Sequence, residues 1–267
     1  DTLALLRPLT LVGVIFVIAV ASLIFGGAAG SKWPTVLGFI HSTPINVADP
    51  QFDKDISFFV FTLPLHHFVQ SWLLGAVIVS TLMTMTMYFI HFSLRGAVFS
   101  MTSPVRIHIS VLGALLLFIF GYGYWLDTYD QVFSTGGAVV GATYADVKAG
   151  IPSLRILTVI VIAGGLLLLA NAFWFRGVRL IVGIAGLWIG AMVILVFLVP
   201  AAVQRFQVEP SELEKEREFI SRNIDATRQA FGLDRIQESS YQISETPRIT
   251  TEIVQSNPEI INNLRLW

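Results

Sequence analysis

The chain has 267 residues, of which 54% are hydrophobic and only 13% charged, against about a quarter charged in soluble domains. Its formal net charge is −1, so no overall basic field favours nucleic acid, and none is expected as a partner. There is no cysteine, which excludes thiolate metal sites, disulfides and cysteine nucleophiles together.

Five charge-free apolar stretches then set the fold. A helix rises about 1.5 Å per residue, so about 20 apolar residues cross the hydrocarbon core of a bilayer. Arg7 and Lys32 bracket 24 uncharged residues, 8–31, which predicts a span over about 8–30. A loop over 31–68 follows. Asp55 and Arg95 bracket 39 uncharged residues, 56–94, too many for one crossing. Pro64 divides this stretch, because proline lacks an N–H and biases the residue before it away from the helix. Residues 49–63 therefore read as an extended piece and a short surface segment, and 69–92 as the span. Arg106 and Asp127 bracket 20 residues, giving a span over about 106–126 and then a second loop, 127–153. Arg155 and Arg176 bracket 20 more, and Arg179 and Arg205 bracket 25, giving spans over about 155–175 and 179–201.

Beyond this point the chain turns polar: 11 of its 18 acidic residues follow position 205. Ser211 and Glu214 have the spacing of a capping box, predicting an amphipathic helix over about 211–231. Leu213, Ile220, Ile224, Thr227 and Phe231 would form its apolar face, and Gly232 its stop. Residues 233–267 read as short strands and turns, with 249–254 a candidate strand. The expected fold is an all-α polytopic membrane bundle of about five transmembrane helices, residues 1–203. The start of an extracytoplasmic α+β segment, 204–267, follows it. Because the chain opens on Asp1 rather than Met and stops just past a polar run, a piece of something longer is expected.

Positive residues near span ends mark the cytoplasmic side. Arg7, Arg95, Arg106, Arg176 and Arg179 fall on one side, and the acid-biased loops on the other. The N-terminus of this chain is therefore expected on the cytoplasmic side of its membrane and its C-terminus on the outer side.

The motifs favour packing over chemistry. Gly183, Gly186 and Gly190 share one face of the fifth span, and Gly26 and Gly30 repeat the spacing in the first. Small residues let helices approach closely in lipid, which predicts helix packing or self-association there. Ser80, Thr84 and Tyr88 align in the second predicted span, but Ser and Thr hydroxyls commonly bond the carbonyl four residues back. No Asp, Glu, Lys or Arg lies deep in any span, which weakens an ion-coupled transporter. Adjacent His66 and His67 point different ways on a helix, so no metal site is expected from them. No fingerprint for a nucleotide or other cofactor occurs, and none is expected. A membrane enzyme would need a tight cluster of Asp127, Asp146 and a histidine.

Five strings in order carry a family resemblance: DPQFDKDISFFVFTLP (49–64), GYWLD (123–127), GATYADVKAGIPSLRI (141–156), QRFQVEPSELEKER (204–217) and FISRNIDATRQAFGLD (219–234). They resemble the large multi-pass prokaryotic membrane proteins grouped as uncharacterised protein family 182. Glu218 and Phe219 depart from a Pro-Tyr pair there. The resemblance implies a bundle of about seven spans with a long extracytoplasmic region, and no catalytic residue, cofactor or substrate. Its strings gather on one face. Asp49, Asp127, Tyr144, Asp146, Arg155 and Arg205 are accordingly the candidate interaction surface joining bundle and outer segment. The expected role is a non-enzymatic scaffold or accessory subunit of a membrane or envelope complex, with lipid and protein partners. The alternative is a transporter or channel for a neutral or lipid-like solute.

Overall fold

A computed structural model of the chain describes residues 2–94, 102–137, 139–175, 177–236, 251–256 and 258. Five helical runs are long and apolar enough to cross a membrane: Leu11–Ser31, Phe58–Leu94, Ser103–Phe133, Asp146–Phe175 and Val178–Ala230. Their apolar side chains point outward: Leu23 is 77% and Trp174 79% exposed. Water would penalise such a surface heavily, whereas lipid tails are as apolar as leucine.

The named helices are α1 (Thr2–Ser31), α2 (Trp33–Ile40), α3 (Leu63–Leu94), α4 (Ser103–Asp130), α5 (Ile151–Ala170), α6 (Val178–Met192), α7 (Val199–Val203), α8 (Glu212–Ala230) and α9 (Thr251–Ser256). The chain divides into two compact units, Asp1–Asp225 and Ala226–Trp267. The helical run from α6 continues through residue 203 into α8.

Wide helical turns with hydrogen bonds to the fifth residue back punctuate the runs. They cover Phe58–Thr62, Asp146–Gly150, Asn171–Phe175, Val193–Leu198 and Gln204–Val208. Four of these five end two residues before a proline: Pro64, Pro152, Pro200 and Pro210. A proline ring collides with the carbonyl four residues back, and a widened turn relieves the collision without ending the helix. Before Pro64, the Leu63 N–H reaches the Phe58 carbonyl. Pro64 therefore does not separate a surface piece from a span, as the sequence suggested. The helix begins at Phe58 and runs through it to Leu94.

The bundle core is built chiefly by α4, α5 and α6. Ala114 and Leu117 meet Leu157, Val161, Leu168 and Ile184, all buried. Glycines set this close approach. A Cβ on Gly165 would lie 2.6 Å from the Phe118 ring, one on Gly164 would lie 3.1 Å from Ile184, and one on Gly121 would lie 3.0 Å from Val161. By contrast, a Cβ on Gly26, Gly30, Gly183, Gly186 or Gly190 would meet nothing within 4 Å. Among the described residues nothing packs on the glycine faces picked out in the sequence, and Gly121, Gly164 and Gly165 stand at the close helix contacts instead.

Several polar groups inside the bundle are paired. Buried Asn171 donates to the Ser110 hydroxyl at 3.2 Å and accepts the Gly177 N–H at 2.8 Å, tying α4 to the α5–α6 turn. The α3 hydroxyls of Ser80, Thr81, Thr84 and Thr86 each donate to the carbonyl four residues back, at 2.7–2.8 Å.

In the second unit, Gly232 ends α8 at φ 65°, a left-handed backbone that suits glycine. The candidate strand over 249–254 is corrected where it is described: Thr251–Ser256 is helical, with Glu252 favourably placed in its first turn. Residues 249 and 250 lie outside the described residues. Among the described residues there is no β-strand, only one isolated antiparallel bridge between Ala48 and Asp55, so the α+β extension is not seen.

Candidate functional site

The connections at residues 41–57 and 134–145 cluster at one end of the bundle, and α8 runs beside them. The first is a hydrogen-bonded turn held by two aspartates. Asp49 accepts the N–H groups of Gln51 and Phe52, both at 2.8 Å. Asp55 accepts those of Ile45 at 3.1 Å, Asn46 at 2.7 Å and Ser57 at 2.8 Å. Hydrogen bonds from the Ser57 side chain and backbone, then from Ile45 and Asn46, hold the Asp55 carboxyl down at about 2. Asn46 and Asp53 sit at φ 61° and 53°, a conformation that short polar side chains tolerate. Below this turn Phe59, Leu63 and Leu126 form a small buried cluster, with Phe52, Phe58 and Tyr129 packed against it.

The second connection ends in a capping box absent from the sequence reading. The Thr143 hydroxyl accepts the Asp146 N–H at 3.2 Å, while Asp146 accepts the Thr143 N–H at 3.1 Å and hydroxyl at 2.9 Å. This starts a helix at Asp146, so the predicted loop 127–153 is much shorter. It shrinks from its other end too, since helical structure continues from α4 through Phe133. Asp127 and Asp130 therefore stand on a helix. His67 of α3 contacts both Asp130 oxygens, at 2.9 and 3.1 Å. Its neighbour His66 faces Tyr122 instead.

The polar helix α8 is fastened to both connections. Glu216 is only 4% exposed, and its carboxylate accepts the Tyr144 N–H at 3.0 and 3.3 Å. Arg222 donates to the Gln51 side chain at 3.0 Å and also pairs with Glu218. Asn223 donates to the Val140 carbonyl at 2.7 Å. The face of α8 that packs is thus Glu216, Phe219 and Asn223. Of the predicted apolar face, Leu213 is 72% exposed and Ile224 49%. The period was legible, but much of what holds α8 is polar, the Tyr144 N–H, the Gln51 side chain and the Val140 carbonyl. Ser211 opens no capping box either. It lies within the helical run, its hydroxyl donating to the Gln207 carbonyl at 3.3 Å.

The candidate surface residues are thus distributed unevenly. Asp127 and Asp146 line one cavity of about 360 Å³, together with Asp130 and Gln131. Tyr144 is held by Glu216, with the Lys215 ammonium 5.3 Å above its ring. Asp49 shapes the turn whose Gln51 reaches α8. Arg155 is exposed on α5, and Arg205 pairs locally with Glu209 at 3.0 Å, so neither joins these contacts. His67, Glu216, Arg222 and Asn223 were missed. Their partners lie 63 to 171 residues away in sequence, beyond any local spacing rule.

Residues 3–267 match the family model described as Uncharacterised protein family (UPF0182). A UPF0182 protein of Moorella thermoacetica is 38% identical over 251 residues, covering 92% of this chain and 27% of the relative. One of an Arthrobacter species is 36% identical over 266 residues, covering 98% and 26%. One of a Nostoc species is 34% identical over 254 residues, covering 93% and 25%. The chain thus spans about a quarter of the length of the curated relatives it matches. No solved structure matches it. On these matches, and on the membrane-length helices they share a chain with, the protein belongs to the uncharacterised protein family UPF0182.

Proposed function

We propose that this chain is the membrane-embedded part of a non-enzymatic scaffold or accessory subunit of a larger membrane or envelope complex. The bundle, about 1–203, sits in a prokaryotic plasma membrane with its N-terminus cytoplasmic. The segment from 204 lies outside. The observation that carries this reading is the fastening of α8 to two connections through Tyr144, Gln51 and Val140. Three separate attachments hold a polar helix in fixed register on the bundle, which suits presenting an outer segment and serves no obvious turnover. Asp49, Asp127, Tyr144 and Asp146 belong to the face that joins bundle and outer segment, and Arg155 and Arg205 lie apart from it. The open glycine face at Gly183, Gly186 and Gly190 is where further helices pack, from the remainder of the full-length protein.

A second reading, transport of a neutral or lipid-like solute, draws on an apolar groove of about 450 Å³ between α1 and α3. Gly13, Val17, Leu82 and Met83 line it. The α3 hydroxyls lend this reading no support, since each already bonds its own helix.

The deciding experiment extracts full-length protein from native membranes in mild detergent and measures mass and composition. A stoichiometric protein partner, lost when Glu216 and Arg222 are replaced by alanine, supports the scaffold. A homo-oligomer carrying only lipid, with solute flux in proteoliposomes, overturns it.

A further inference from the structure

Three groups with metal-binding atoms converge at the loop-bearing end of the bundle, outside the α8 attachments. Asp127 and Asp130 lie three residues apart on α4 and therefore share a face. His67 approaches from α3, and one ligand atom from each of the three lies within 4.8 Å of the others. Ligands about 2.1 Å from a tetrahedral zinc sit roughly 3.4 Å from each other. Small side-chain rotations would bring this set to that spacing.

Pairing within the protein leaves part of this cluster unsatisfied. His67 serves Asp130. Among the described residues, no donor reaches the Asp127 carboxylate, although that residue is half-buried beside a second carboxylate. A half-buried anion without a donor is costly, and a like charge alongside adds to the cost. The cluster also opens on the 360 Å³ cavity, to which Asp146 contributes a third carboxylate and, among the described residues, no lysine or arginine contributes. That cavity has room for the waters that complete a coordination shell.

We propose that His67, Asp127 and Asp130 bind a divalent transition-metal cation, zinc or manganese, with water from the adjoining cavity completing its shell. One imidazole nitrogen with two carboxylate oxygens is a mixed set of borderline hardness. It suits zinc and manganese better than calcium or magnesium, which favour oxygen alone. The His67–Asp130 contact is the metal-free resting arrangement. The imidazole presents its Nε2 to the cation on binding. The cation neutralises both carboxylates and pins α3 to α4 beneath the turn at 41–57. This site goes beyond the scaffold reading and does not depend on it.

The test uses full-length protein in detergent, stripped with a chelator and titrated with manganese(II), with free ion followed by electron paramagnetic resonance. Zinc is then added as competitor and calcium as control. Wild type should bind one equivalent that Asp127→Asn and His67→Gln each lose, or bind at least about tenfold more weakly. Zinc should displace that equivalent and excess calcium should not. With chelator present, Asp127→Asn should melt no lower than wild type, since it removes an unpaired charge. A purely structural role for Asp127 would instead lower that melting point and leave metal binding alone. Wild-type stoichiometry and affinity in both variants overturn the proposal, as does a wild type that binds no manganese or zinc. If Asp127→Asn does not fold, His67→Gln alone decides the matter, because glutamine can still donate to Asp130.

Discussion

The backbone N–H of Tyr144 donates to the buried carboxylate of Glu216, 72 residues further along the chain, at 3.0 Å. This contact couples the connection between α4 and α5 to the polar helix that follows the last apolar stretch. Glu216→Ala leaves the Tyr144 N–H without an acceptor, and an orphaned buried donor costs about 1–3 kcal/mol. Glu216→Gln keeps an acceptor oxygen. Thermal unfolding in detergent should show a clear loss for alanine and a smaller one for glutamine. Equal melting of all three proteins would mean that α8 is not fastened here.

The turn at 41–57 should loosen in acid. Asp55 titrates at about 2 in the fold against an ordinary 3.8, because Ser57, Ile45 and Asn46 donate to its ionised form. A depressed carboxyl stabilises the fold above its unfolded value and loses that contribution as pH falls through the folded one. The turn is therefore fully held at neutral pH and down to about pH 4, and releases between about 4 and 2. Amide exchange of 41–57 over this range should show protection falling in wild type. Asp55→Asn should begin with lower protection and change little. A flat wild-type profile would show that the carboxylate does not hold the turn.

Two glycine substitutions should separate packing inside the chain from packing outside it. On Gly165 a Cβ would lie 2.6 Å from Phe118, whereas on Gly186 it would meet nothing within 4 Å. Gly165→Ala forces α4 and α5 apart and should cost about 1–3 kcal/mol. Gly186→Ala should leave the melting point of the chain unchanged or raise it, by at most about 1 kcal/mol, since alanine suits a helix interior better. In the full-length protein Gly186→Ala should instead weaken assembly, read as a shift toward smaller species on a sizing column. Unimpaired assembly would remove that face from the proposed contacts.

How much of this was readable beforehand depended on whether a signal was local. Apolar length located all five helical runs, because a bilayer demands about 20 such residues whatever surrounds them. Their ends were misplaced wherever a charge sits inside a helix. Asp127 and Asp130 looked like loop residues, yet His67 holds Asp130 on α4. Asp146 looked like loop too, although Thr143 three residues earlier was available as its capping partner. Pro64 was read as a break because the rule for proline assumes regular α-helix. The widened turn at Phe58–Thr62 removes that assumption, and the same spacing recurs at Pro152, Pro200 and Pro210. The candidate site was legible only in part. Asp127, Tyr144 and Asp146 have structural partners, while Arg155 and Arg205 stand apart from them. The deciding partners, His67 and Glu216, are set by helix packing, which no single segment of the sequence encodes.

Orientation in the membrane is the remaining premise of the scaffold reading, and the absence of cysteine makes it easy to test. Thr135 lies in the connection beside α8, and Thr102 just ahead of α4, at the opposite end of that helix; both are exposed. In the proposed orientation, which follows the positive-inside rule, the Thr102 end is the cytoplasmic one. In intact cells a membrane-impermeant maleimide should therefore label Thr135→Cys directly and Thr102→Cys only after lysis. The reverse pattern would put the α8 attachments in the cytoplasm. An envelope partner would then have no access to them, and the scaffold would have to act on a cytoplasmic complex instead.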